Sequence, residues 1–210
     1  MTEFGGVRIL HCDNHLLVAV KPPNMPSQAD ASGDLDILTL MRAYVKEAYG
    51  KPGEAFLGLL HRLDRPVGGV MAFARTSKAA ARLSAQFRER TVERAYLAVV
   101  QGNPKDEAVL TGLVDDREAA LFYRCIERRP PLALLEVRLE TGRKHQIRVQ
   151  LSAADLPIWG DARYGVGKPG RQIALWAARI IITHPITREQ MTFEASPPQA
   201  EPWTLWRNQQ

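Results

Sequence analysis

The sequence is poor in the residues that build metal, redox and membrane chemistry. Two cysteines, Cys12 and Cys125, stand far apart among 210 residues. Their separation matches no zinc-ligand or redox spacing, so two buried thiols in a reducing cytosol are expected. The five histidines, at positions 11, 15, 61, 145 and 184, show no paired ligand spacing, and no metal is expected. No stretch reaches ~18 apolar residues, which excludes a membrane-spanning helix. The opening MTEFGGVRILHCDNHLL carries an acid and no long apolar run, so a signal peptide is not expected and a cytoplasmic location is. There is no internal repeat, low-complexity tract, clear linker or phosphate-cradling glycine loop.

What is present describes an ordinary globular protein with a basic balance. The length allows one large domain or two small ones. A hydrophobic fraction of 45% and a charged fraction of 24% supply a core of normal size. The net charge of +5 favours a polyanionic partner without naming it.

The order of elements is readable. VRILHC and HLLVAVKPP flank Asp13-Asn14, which predicts a hairpin. PPNMPSQADASGD is a loop composition. Leu38, Met41, Val45 and Ala48 recur at helical spacing, and the pattern stops at YGKPG. GGVMAFAR reads as a short buried strand. TSKAAARLSAQFRER reads as a helix capped by Thr76 or Ser77, with Ala80, Leu83 and Phe87 on one face. RAYLAVVQG and LALLEVRLETG alternate like strands, HQIRVQLSAADLP shifts to helical spacing, and IALWAARIIITHP and MTFEASPP return to strands. Strands with helices inserted between them predict an α+β fold with a mixed, largely antiparallel central sheet and flanking helices.

Two segments carry chemistry. LLHRLDRPVGGVMAFAR sets Asp64 between Arg62 and Arg65, with apolar chain on both sides. A surface ion pair is the plain alternative, and such pairs are common and weak. A carboxylate beside buried chain is costly unless paired, and such places are where carboxylates acquire chemical roles. The second segment, TGRKHQIRVQLSAADLPIWGDARYG, gathers Arg143, Lys144, His145, Gln146 and Arg148. A helix beginning near Lys144 would turn its free amides and positive dipole end towards a phosphate. A solvated basic helix end is the alternative.

At this point the segments resemble a known family. The first resembles the HRLDxxTSG signature of the RluA family of pseudouridine synthases. The second resembles that family's TGRTHQIRVHL motif followed by G-D-x-x-Y-G, here Gly160 to Gly165. VAVKPPNMPS, ERAYLAVVQG and IALWAARIIITHP are similar to three further family segments, in the same order along the chain. Val67 and Gly68 stand where the family commonly has Thr and Ser, and Trp176 stands where it has His.

The resemblance implies a single catalytic domain over residues 1–210, without the family's extra N-terminal RNA-binding domain, and a monomer. It implies isomerisation of a uridine in rRNA or tRNA, without cofactor or metal. It implies a catalytic cleft formed by Asp64 as the essential carboxylate, Tyr96 against the uracil and Arg148 as the cation aiming Asp64. Arg62 would enter the RNA beside the flipped base, and Leu175 would line the pocket. Arg143, Lys144, His145 and Gln146 would meet the substrate. A catalytically silent RNA-binding protein on the same fold is the alternative. A carboxylate glycosidase would need a second acid that these motifs do not offer.

Overall fold

The computed structural model describes residues 2–50, 52–167 and 172–206. The chain divides into two compact units, residues 1–92 with 179–195 and residues 93–178 with 196–210.

In the first unit the predicted hairpin forms between β2 (Val7–Cys12) and β3 (Leu16–Lys21). Asp13 makes the turn: its Oδ1 accepts the His15 and Leu16 amides at 2.6 and 2.8 Å. β1 (Thr2–Phe4) pairs with the outer side of β2. On the other side of β3 lies β5 (Gly68–Ala74), antiparallel, with Lys21 opposite Gly69. Gly69 has φ +126°, which a residue with a side chain rarely adopts. All seven residues of β5 are buried, so the strand reads as a continuous apolar run. β4 (Gly58–Leu59) also pairs with β5.

Two helices complete this unit. α1 (Ile37–Ala48) begins at Asp36, whose carboxylate accepts the Thr39 amide at 2.9 Å and the Thr39 hydroxyl at 2.7 Å. That cap fixes the helix phase. The buried stripe is Ile37, Leu40, Met41 and Val45, whereas the predicted Leu38 is half-buried and Ala48 is exposed. α2 (Ser77–Arg88) is capped by Thr76, whose Oγ1 accepts the Ala79 amide at 3.1 Å. It buries Ala79 and Leu83, with Ala80 and Phe87 half-buried beside them. The strand β10 (Leu175–Thr183) enters this unit from Arg179 onward and pairs there with β11 (Gln190–Glu194).

The second unit is an antiparallel ladder in the order β6 (Glu93–Gln101), β9 (Leu132–Leu139), β8 (Arg117–Arg129), β7 (Glu107–Val114). The β7–β8 hairpin is absent from the sequence reading, although its turn signal is there. Asp115 and Asp116 both hold positive φ, 50° and 56°, as two-residue hairpin loops require. α3 (Gln146–Ala153) follows β9, beginning two residues later than expected. Trp159 and Ala174 lie against β6, with the Trp159 amide on the Val99 carbonyl at 2.8 Å and the Val99 amide on the Ala174 carbonyl at 3.0 Å.

The fold is thus α+β with largely antiparallel pairing, as expected. One expectation is corrected: Cys12 and Cys125 are free thiols, but both are half-buried rather than buried. Cys12 ends a strand at the turn, where Tyr49 Oη lies 3.6 Å and Arg75 Nη1 3.4 Å from its sulfur. Among the described residues no helix is long and apolar enough to cross a membrane.

The capping and packing of α2 set a scale for stability. Thr76→Ala is expected to cost about 1 kcal/mol by orphaning a helix amide. Leu83→Ala empties a fully buried site and is expected to cost about 2–5 kcal/mol. Urea unfolding of both variants measures the difference, and equal losses would contradict this account of the helix.

Candidate active site

Asp64 sits on a turn closed by the Val67 amide donating to the Asp64 carbonyl at 2.9 Å. The turn leads directly into the buried strand β5, and Asp64 itself is half-buried. Its backbone is held from several sides. Ser27 donates its hydroxyl to the Leu63 carbonyl at 2.7 Å and accepts the Leu63 amide at 3.1 Å. His61 Nε2 accepts the Ala72 amide at 3.1 Å, which puts the ring proton on Nδ1, and the ring stacks on Phe87 with centroids 5.1 Å apart.

The strongest constraint on this turn is Lys21, which is fully buried. Its Nζ donates to the carbonyls of Pro22, Met25 and Arg65 at 3.1, 2.6 and 3.1 Å. Three carbonyls match the three protons of an ammonium. Burial nevertheless pulls the amine from its ordinary 10.5 down to about 7; the charge of Asp64 opposes that fall, and Arg65 adds to it. The Lys21 amine therefore lies close enough to Asp64 for the two groups to interact electrostatically.

The two arginines beside Asp64 do different things. Arg65 turns to the preceding loop, where its guanidinium binds Asp34, donates to Ser32 Oγ at 2.9 Å and lies 3.6 Å from Asp30. These are exposed pairs, worth little in stability. Arg62 is exposed to solvent.

In the second unit Arg148 is 7% exposed and its guanidinium forks onto Asp161, with Nε to Oδ2 at 2.7 Å and Nη2 to Oδ1 at 2.8 Å. Asp161 Oδ1 also accepts the Arg163 and Tyr164 amides at 2.9 and 3.2 Å. Burial alone would raise the Asp161 pKa; the Arg148 fork and the two amides outweigh it and hold the carboxyl below its usual range. Gly160 precedes it at φ +79°, where a Cβ would run into the Gln172 carbonyl. The Tyr164 ring lies beneath two guanidinium groups, Arg148 at 5.0 Å and Arg163 at 5.3 Å from its centroid. Its hydroxyl meets His145 Nδ1 at 2.9 Å.

The remaining expected site residues divide. Tyr96 lies on β6 opposite Val137 and is 6% exposed. Leu175, at the start of β10, is 4% exposed. Lys144 is exposed, and Arg143 donates from Nε to the Glu118 carbonyl at 3.1 Å. His145 is the residue before α3, in a left-handed conformation with no side-chain cap, so the helix start is not the simple N-terminus the sequence suggested. Gln146 corrects an expectation: it is 2% exposed and its amide is committed inside the protein rather than offered to substrate. Lys21 and Asp161 were visible in the motifs, as the lysine of VAVKPP and the acid of GDARYG, but received no role. Their burial is a tertiary property that the motifs do not state. Among the described residues no group of three His, Cys, Asp or Glu side chains could hold a metal ion.

The ladders and helices define the pseudouridine synthase fold. A solved human protein, RNA pseudouridylate synthase domain containing 4, superposes with a TM-score of 0.76 at 25% identity, covering 91% of this chain and 89% of that one. The family model described as RNA pseudouridylate synthase matches residues 15–153. A relative named ribosomal large subunit pseudouridine synthase D, from Zymomonas mobilis subsp. mobilis, is 33% identical over 92% of this chain and 70% of its own. One named ribosomal large subunit pseudouridine synthase C, from Vibrio vulnificus, is 30% identical over 89% of this chain and 64% of its own. The chain belongs to the RNA pseudouridylate synthase family, of the RluA type that its motifs resemble. It is an isomerase acting on RNA.

Lys21 gives this site a pH signature. Between pH 7 and 10.5 the unfolded chain keeps the proton that the folded lysine has lost. Stability from this group therefore rises with pH across that window. Lys21→Met removes the group, so the stability of the native protein minus that of the variant should grow from pH 7 to 10. Melting curves at matched pH measure it; a constant difference would show that Lys21 does not titrate in the fold.

Proposed function

We propose that this protein converts a specific uridine of a structured RNA, ribosomal or transfer, to pseudouridine with Asp64 as the essential carboxylate. The observation that carries the reading is the Asp64 turn. A half-buried carboxylate sits on backbone immobilised by Lys21, Ser27 and His61, with the buried Lys21 amine close by. A group held this way keeps its direction without reorganising during reaction.

The chemistry asked of it is an isomerisation. The bond between uracil N1 and the ribose anomeric carbon breaks, the base turns over, and its C5 bonds to that carbon. The proton leaves C5 and N1 gains one, so nothing is oxidised or reduced and no cofactor is called for. Asp64 acts either as nucleophile or as base towards the sugar. Tyr96 offers the uracil a flat ring and a hydroxyl, and Leu175 adds apolar wall. The uridine must leave its stack to be reached, at a cost of a few kcal/mol. Arg62, exposed beside the turn, fills the space it vacates. Arg148 brings a cation whose orientation Asp161 already fixes.

The relatives named for the large ribosomal subunit support ribosomal RNA as the first substrate to test. In this reading residues 1–210 act as one catalytic domain and as a monomer in the cytoplasm. Lys144, exposed, and the partly exposed Arg143 and His145 line the path of the phosphate backbone.

Mapping pseudouridines in total RNA from cells with and without the gene tests the reading. One or a few ribosomal or transfer RNA positions are expected to revert to uridine. An unchanged map in every RNA class would contradict it.

A further inference from the structure

On α3, Gln146 and Gln150 lie four residues apart on one face, 2% and 6% exposed. Arg148 stands between them in sequence and about 200° round the helix from either, on the far side. The hydrogen bonds of the two amides form a circuit that runs one way. The Ala120 amide donates to Thr141 Oγ1 at 3.0 Å, and that hydroxyl donates to Gln146 Oε1 at 2.7 Å. The Arg143 amide donates to the same Oε1 at 2.9 Å, which fixes the atom as the oxygen. Gln146 Nε2 gives its protons to the Ala120 carbonyl at 2.9 Å and to Gln150 Oε1 at 3.0 Å. Gln150 Nε2 gives its own to the carbonyls of Leu110 at 3.0 Å and Ala119 at 3.2 Å. Each N–H of both amides has an acceptor.

The helix needs this. It is eight residues long, without a side-chain cap at its start, and a helix so short has no stability of its own. Its position comes from what holds it. One face is tied through Gln150 to both strands of the β7–β8 hairpin, and the other through Arg148 to Asp161. We propose that Gln150 is a positioning residue for the Arg148 guanidinium, fixing the helix on which that group is carried. The inference rests on the reading of Arg148 as a cation that acts on the RNA substrate.

Only an amide meets both demands at position 150, one acceptor towards Gln146 and two donors towards the carbonyls. An ionised glutamate of the same shape puts an acceptor oxygen in the place of Nε2, facing the two carbonyl oxygens. A neutral histidine offers one donor and one acceptor. Buried groups left without partners act back on whatever holds them.

The test uses Gln150→Glu and Gln150→His in the full chain, with two readouts. The first is hydrogen exchange of the Arg148 Nε–H, followed by nitrogen-15 NMR without RNA. The second is the single-turnover rate on an RNA that the native protein modifies, beside the dissociation constant for that RNA. In Gln150→Glu at pH 8 the exchange should quicken at least tenfold and turnover fall at least tenfold, with RNA affinity within threefold of native. Both should recover towards native at pH 5.5, where the protonated carboxyl regains one donor. Gln150→His should fall between the two, which keeps the test open if Gln150→Glu fails to fold at pH 8. Native exchange and native turnover at every pH in a folded variant would overturn the proposal. If the native protein modifies no RNA while Gln150→Glu still quickens the exchange, the positioning stands and the pseudouridylation reading fails.

Discussion

A lysine amine with no solvent contact, its Nζ held against three backbone carbonyls, is the constraint on which the Asp64 turn depends. Two of the carbonyls, Pro22 and Met25, belong to the loop after β3, and the third, Arg65, belongs to the turn. The side chain therefore joins two segments that no ladder connects. Removing a partner from such a buried nitrogen is expensive, because a buried polar group left without its hydrogen bond costs about 1–3 kcal/mol. The position of the loop, the path of the turn and the direction of Asp64 are set together for that reason. Ser27 adds two hydrogen bonds to Leu63 in the same place, and Gly69, opposite Lys21, takes a backbone conformation that keeps the strand start close.

Asp161 and Asp64 both lie near basic groups, and their surroundings assign them different work. Asp161 has a side chain 1% exposed, and both its oxygens are occupied by Arg148 and by backbone amides. A carboxylate buried and committed in this way is poorly placed to act on a sugar or a base, and its role is to hold an arginine. Asp64 is half-buried on a turn, with the nearby Lys21 amine enclosed beneath the backbone. Burial and ion pairing alone would have selected Asp161 as the chemical group. The commitment of both Asp161 oxygens to Arg148 and the backbone decides against it.

Much of the fold was legible because its signals are local. The Asp13-Asn14 hairpin, the cap at Thr76 and the all-apolar β5 each follow from a few neighbouring residues. The β7–β8 hairpin was missed because Asp115-Asp116 is a weaker turn pair than one with glycine, and because Val109 and Leu113 break the alternation by facing solvent. The helical stripe of α1 was displaced because a cap, rather than periodicity, sets the phase. At the site, the motifs pointed to Asp64 and Arg148 but not to what holds them. Lys21, Asp161 and Gln150 look like surface residues in composition, and only the fold shows them buried. Gln146 erred the other way: a polar residue in a basic run reads as a ligand for substrate, yet it closes an internal circuit.

The account stands or falls on the charge of Asp64. The direct measurement is single-turnover pseudouridine formation by Asp64→Asn on a defined modified RNA, with the dissociation constant measured beside it. Asparagine keeps the shape and removes the charge, so the account predicts no product above background and an RNA affinity within about threefold of native, a change under roughly 1 kcal/mol. Product formed at the native rate would contradict it.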